Sequence, residues 1–217
     1  MATYAIVPGA GDRGWHWHLV EAELRERGHD VVAVDLPCED ESAGLNEYAD
    51  AVVAAVGDRD ELVVVAHSLG AFTAPLVCAR IPAELLVLTA GMVPQPGERG
   101  LDWWANTRVT EAQDDYGDDV VAQYMHDLPP ELAAEALARG RDQTMTPMLE
   151  PWPLDAWPDV PTRYVLFRDD RFFPPAWTRA MVRERLGIEA DETPGSHCAY
   201  LSRPGELAAK LEELRNE

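Results

Sequence analysis

A doubly wound α/β fold around a mostly parallel sheet follows from three features of this 217-residue sequence. Short β-branched runs alternate with amphipathic runs over residues 3–90, and the alternation resumes at residue 162. None of these runs is long enough to span a bilayer, so they read as strands and helices around one buried sheet. Parallel neighbours need a crossover of about a dozen residues or more, and helix-like stretches of that size separate the strand-like ones.

In chain order, "TYAIV" gives a strand over 3–7 and "HLVEAELRERG" a helix over 18–27. A strand over 31–35 lies in "GHDVVAVDLP", followed by a helix over 46–56. "LVVVAH" supplies a buried strand at 62–66, the next helix covers 69–80, and "LLVLTA" is a strand over 85–90. After the interruption come a strand in "TRYVLF" (162–167), a helix over 175–186, a short strand near 188–192 and a terminal helix from about 205. The intervening seventy or so residues hold "LDWWANT" and "EPWPLDAWPDVP". A structureless loop of that length is improbable inside a compact domain, so helices are expected there. The expectation is a single domain over 1–217 with a cap inserted at about 95–160. Four tryptophans in this stretch, Trp103, Trp104, Trp152 and Trp157, either pack the cap on the core or line an apolar pocket. Trp103 and Trp104 are the expected ligand contacts.

Charge and cysteine content narrow the partners. Eighteen basic residues against 39 acidic ones give a net charge of −21, which repels phosphate backbones and anionic membranes. Cys38, Cys78 and Cys198 are odd in number and far apart, as free thiols in a reducing compartment would be. With no signal-peptide pattern at the start, a cytoplasmic location is expected. A homodimer is left open.

The stretch "VPGAGDRGWHW" has two readings. Gly9, Gly11 and Gly14 form a G-x-G-x-x-G run between a strand and a helix, and Asp35 follows where a ribose-binding acid would stand, as in a nicotinamide-dependent oxidoreductase. Against this, bulky Trp15-His16-Trp17 follows the third glycine, and the sole lysine, Lys210, cannot complete a Tyr-x-x-x-Lys pair. The His16-x-His18 pair near Asp12 is no better as a metal site, because no later Cys/His cluster completes it. Neither metal nor cofactor is expected.

The second reading starts at Ala66-His67-Ser68-Leu69-Gly70, the nucleophile elbow G-x-S-x-G with alanine for its first glycine. On a strand-to-helix turn, such a serine projects from the carboxyl edge of the sheet. It needs a histidine to take its proton and a carboxylate to hold that histidine. His197, after the last short strand, is the expected base. The acid follows "TRYVLF", where Asp170 is favoured over Asp169 because it precedes Pro174 by four residues, a spacing common in this fold. An oxyanion would need two backbone N–H groups, from Leu69 after the nucleophile and from Ala10 in the glycine loop. His67, beside the serine, is a further expected ligand contact.

These residues give the chain a resemblance to the α/β-hydrolase superfamily, and within it to the small capped group of plant methyl esterases and hydroxynitrile lyases. The likeness runs through "PGAGDRGWHW", "GHDVVAVDLP", "AHSLGA", "DDRFFP" and "GSHCAYLSRPGELA", with Pro8 where histidine is usual. It implies nucleophile, acid and base roles for Ser68, Asp170 and His197, and hydrolysis of a small, uncharged, apolar carboxylic ester. A cyanohydrin lyase is the alternative within the group. Its members carry a lysine directly after the histidine, where this chain has Cys198. A catalytically silent binder or another chemistry on the same fold is a third possibility.

Overall fold

In the computed structural model, which describes residues 1–217, the alternation becomes one six-stranded sheet. The first half runs β1 (Thr3–Val7), a 3-10 turn (Gly14–Trp17), α1 (His18–Glu26), β2 (Asp30–Ala33) and α2 (Leu45–Val56). Then follow β3 (Leu62–His67), α3 (Gly70–Cys78) and β4 (Leu85–Thr89). Between β4 and the next strand stand α4 (Gly100–Thr107), a 3-10 turn (Val109–Glu111), α5 (Val120–Tyr124), α6 (Pro130–Arg139) and α7 (Thr146–Leu149). The chain closes with β5 (Thr162–Phe167), α8 (Pro175–Leu186), β6 (Asp191–Thr193), α9 (Ala199–Ser202) and α10 (Pro204–Arg215).

The strand order is β2-β1-β3-β4-β5-β6 and every adjacent pair is parallel. β3, fully enclosed from Leu62 to His67, is apolar apart from its last residue, as a strand covered on both faces must be. From β1 the chain goes first to one side, making β2, and then crosses to β3 on the other. This reversal splays the connections apart and opens a crevice at the carboxyl ends of β1 and β3.

Two strands differ from the sequence expectation. The one anticipated near 188–192 begins only at Asp191, because its place is set by pairing with β5, Val165 opposite Asp191 and Phe167 opposite Thr193. Cross-strand register overrides the preference of Ile188 for a strand. β2 stops at Ala33, and Asp35 turns its carboxylate onto the Gly14 N–H at 2.7 Å. Asp35 thus holds the loop after β1.

The excursion between β4 and β5 is tied to the body of the fold at its entry. Arg185 of α8 and Glu98 just before α4 form an ion pair whose side chains are 5% and 4% exposed. Asn106 donates to Glu98 at 2.8 Å and Arg185 to the Val93 carbonyl at 2.7 Å, so both charges are compensated where water is absent. Trp152 is buried and its indole N–H donates to the Phe72 carbonyl at 2.9 Å. Trp157 stacks upon it. These two tryptophans pack the excursion on the core.

Candidate active site

Ser68 directly follows β3 with φ of +50°, a left-handed backbone that costs a non-glycine residue about 1–3 kcal/mol. Three hydrogen bonds fix it there. Its N–H donates to the Thr89 carbonyl at 3.3 Å, and its carbonyl accepts from Ala71 at 3.2 Å and Met92 at 3.0 Å. Gly70 makes the turn sterically feasible, since a methyl there would lie 2.5 Å from the carbonyl oxygens of both Val7 and Pro8. The start of α3 therefore abuts the end of β1, and Ser68 is brought beside the glycine loop.

His197 lies between β6 and α9, its Nδ1 2.8 Å from Oδ2 of Asp170. The other carboxylate oxygen of Asp170 accepts from the N–H groups of Phe172 at 2.8 Å and Phe173 at 2.9 Å. This arrangement suits the tautomer in which His197 Nδ1–H donates to Asp170, which leaves Nε2 without a partner in the chain. Side chains of Phe172, Phe173 and Tyr124 pack edge-on around the ring and fix its plane. Asp169 has a separate role, accepting from the Gly195 N–H at 3.0 Å.

Ser68 and His197 line one cavity of about 530 Å³. They make no hydrogen bond to each other in this structure. Leu69 and Ala10 line the same cavity, and their backbone N–H groups donate to no group of the chain. Gly11, with φ of +69°, turns the loop so that its carbonyl accepts from the Arg141 N–H at 2.8 Å. The Arg141 guanidinium clasps the loop further, donating to the carbonyls of Leu36 at 2.9 Å and Asp12 at 2.7 Å.

The expected ligand contacts divide. Trp104 lines the cavity, but Trp103 does not: it is fully buried behind the wall, packs on Phe173 and Trp177, and donates its indole N–H to Val93. The assignment of Trp103 to ligand binding is corrected accordingly. An indole so enclosed holds the wall in place and offers no face to a ligand. His67 does border the cavity, yet its Nε2 donates to the backbone carbonyl of His197 at 3.0 Å, and its buried Nδ1 points toward Gly9. Burial, reinforced by the neighbouring His197 ring, pushes the His67 imidazole well below its ordinary value, so it is a neutral strut.

The H-x-H pair diverges. His16 accepts from the Arg13 N–H on Nδ1 at 2.9 Å and donates from Nε2 to the Ala136 carbonyl at 3.1 Å, while His18 stacks on Trp15. Other wall residues had no local signature in the sequence: Tyr124, Met125 and Gln143 from the excursion, Tyr200 from α9. Asp12 was visible in the loop, but only as a possible metal neighbour. Burial pushes its carboxyl up, against the His16 ring and the Tyr200 hydroxyl, which pull it down. Burial also pushes the Cys198 thiol well up, so it stays neutral beside Tyr200.

Comparison with known proteins places this geometry in context. A model of the Alpha/beta hydrolase family matches residues 6–210. Methylesterase 7 of Arabidopsis thaliana is 25% identical over 252 aligned residues, covering 99% of this chain and 96% of that protein. The probable esterase PIR7A of Oryza sativa subsp. indica is 36% identical over 109 residues, 44% of this chain and 41% of its own length. Among solved structures, polyneuridine aldehyde esterase superposes with a TM-score of 0.83 at 18% identity, covering 99% of both chains, a likeness of fold.

Proposed function

The chain belongs to the Alpha/beta hydrolase family, and from that premise we propose that it is a carboxylic ester hydrolase working through an acyl-enzyme on Ser68. One observation carries the reading. A strained serine and a carboxylate-held imidazole border the same cavity as two uncommitted backbone N–H groups. In the first half-reaction Ser68 Oγ attacks the ester carbonyl carbon while His197 Nε2 takes the hydroxyl proton. Leu69 and Ala10 N–H groups receive the oxyanion, and Asp170 stabilises the imidazolium. His197 then gives its proton to the leaving alcohol. In the second half it draws a proton from water, whose oxygen attacks the acyl carbon, and it returns that proton to Ser68 Oγ as the bond to the acyl carbon breaks and the acid is freed. The sequence needs no cofactor.

The contact between Ser68 and His197 is then one that forms with substrate, as catalytic hydrogen bonds often tighten only in the Michaelis complex. Fifteen of the 25 lining residues are hydrophobic, which suits an uncharged, apolar ester. The cavity volume also admits an acid or alcohol part larger than the small ester suggested by the sequence. Helices α4 to α7 serve as the cap over it. Cyanohydrin cleavage is not favoured, because neutral Cys198 offers no cation to a departing cyanide. Ser68→Ala should abolish both hydrolysis of p-nitrophenyl acetate and labelling by a fluorophosphonate. Full activity in that variant overturns the proposal.

A further inference from the structure

One carboxylate on the cavity wall has no part in the reaction above. Asp12 stands two residues beyond Ala10 on the same loop and lines the cavity with Ser68 and His197. A methyl group added to Gly9 would lie 3.3 Å from Ser68 Cβ and 3.6 Å from Asp12 Oδ2, so one small substituent touches both. The Asp12 side chain is 17% exposed. Its Oδ2 accepts from the Tyr200 hydroxyl at 3.1 Å. Its Oδ1 accepts nothing from the chain.

The neighbouring cationic and imidazole groups make no hydrogen bond to Oδ1. His16 Nε2 is 3.8 Å away, too far for a hydrogen bond, and its proton goes to the Ala136 carbonyl. Arg141, the only Arg or Lys on the wall, directs its guanidinium to two backbone carbonyls. Asp12, which borders this mostly apolar cavity, thus keeps Oδ1 as an acceptor with no partner in the chain. A ligand that seals it from water without donating to it leaves a desolvated, unpaired charge, which is costly.

We infer that Asp12 selects esters bearing a hydroxyl on the carbon next to the ester carbonyl. The inference rests on the hydrolase reading of the site. Asp12 follows Ala10 by two residues on one loop, so a substrate carbonyl held at the Ala10 N–H brings the carbon next to it within the neighbourhood of Asp12. A hydroxyl there donates to Asp12 Oδ1, whereas hydrogen or a methoxy group at the same carbon cannot. A site built to accept from a substrate hydroxyl discriminates against the analogue lacking it more strongly than an apolar pocket discriminates by size.

Three esters on one skeleton test this: methyl mandelate, methyl phenylacetate and methyl α-methoxyphenylacetate. The expected kcat/KM for the mandelate ester exceeds both others by roughly ten- to a hundredfold, the range for a hydrogen bond to a charged group. Asp12→Leu should bring the three rates within a few-fold of one another, and Asp12→Asn, which keeps one acceptor oxygen and the side-chain shape, should retain part of the preference. A uniform fall in all three rates with their ratio preserved would mean that Asp12 only braces Tyr200, and the inference fails. Calorimetric titration of the esters into Ser68→Ala separates recognition from chemistry. Tighter binding of the mandelate ester, lost in Ser68→Ala/Asp12→Leu, upholds the role of Asp12 even if wild-type protein hydrolyses neither the three esters nor p-nitrophenyl acetate, an outcome that would sink the hydrolase reading instead. Equal binding of all three overturns the role of Asp12 even if hydrolysis is observed.

Discussion

Two adjacent aspartates after β5 divide into one that holds a loop and one that faces the imidazole. Asp170 starts a turn in which the next two phenylalanines donate their N–H groups to its carboxylate, and Pro174 then leads into α8. The spacing to Pro174 is that of this turn, in which the N–H groups two and three residues beyond Asp170 reach its carboxylate. Asp170→Asn should lower kcat for p-nitrophenyl acetate by about 10⁴-fold by disturbing the tautomer of His197. Asp169→Asn should cost less than about tenfold, and the reverse ranking in that assay would move the acid role to Asp169. His67 gives a second prediction. Held neutral by burial in the folded state, it binds a proton more readily when unfolded, at about pH 6.5. The unfolded chain thus carries the extra proton just below that pH, and stability falls as pH falls through the window under 6.5. One such site contributes at most about 1.4 kcal/mol per pH unit. Urea titrations between pH 7.5 and 5.5 should show this slope in wild-type protein and a shallower one in His67→Gln; identical slopes would show that His67 is not its source.

Elements were legible in proportion to how far local pattern decided them. The buried strands announced themselves as apolar runs: β1 and β5 have the residues anticipated, and β3 and β4 agree to one residue. β6 was placed too early, since three residues paired to one neighbour carry little preference of their own. α9 was not foreseen, being a four-residue turn stabilised by its surroundings. The contact of α3 with β1 at Gly70 illustrates the stronger case, in which a motif glycine records a spacing between elements. Gly70→Ala forces backbone apart, since the obstructing atoms are carbonyl oxygens of Val7 and Pro8. Overpacking of this kind costs about 1–3 kcal/mol. The expected result is a lowered urea midpoint with an unchanged m-value, together with a loss of esterase activity larger than the unfolded fraction explains. Wild-type activity in the folded fraction would mean that the elbow tolerates displacement.

At the scale of the molecule, charge and cavity pull in different directions. A net charge of −21 surrounds a pocket whose rim includes exposed Leu101, Val120, Leu137 and Met145. The charge was readable from composition, whereas the rim was not, since its residues come from four separate segments of the excursion. The same is true of Tyr124, Arg141 and Tyr200, which the fold brings to the site from distances no local pattern records. Self-repulsion of the surface should make stability depend on salt. Raising NaCl from 0.01 to 0.1 M shortens the screening length from about 30 to about 10 Å, and the melting temperature should rise by about 2–4 °C, equivalent to about 1 kcal/mol. A fall would show that the surface ion pairs outweigh the repulsion. The clasp of Arg141 on the Gly11 loop has a mechanical consequence. It pins the segment between α6 and α7 to the loop after β1, so that stretch of the excursion is fixed beside Ser68. Remodelling for bulkier guests therefore belongs at Leu101 and Val120, exposed wall residues on other segments, where the pinned loop is not dragged along.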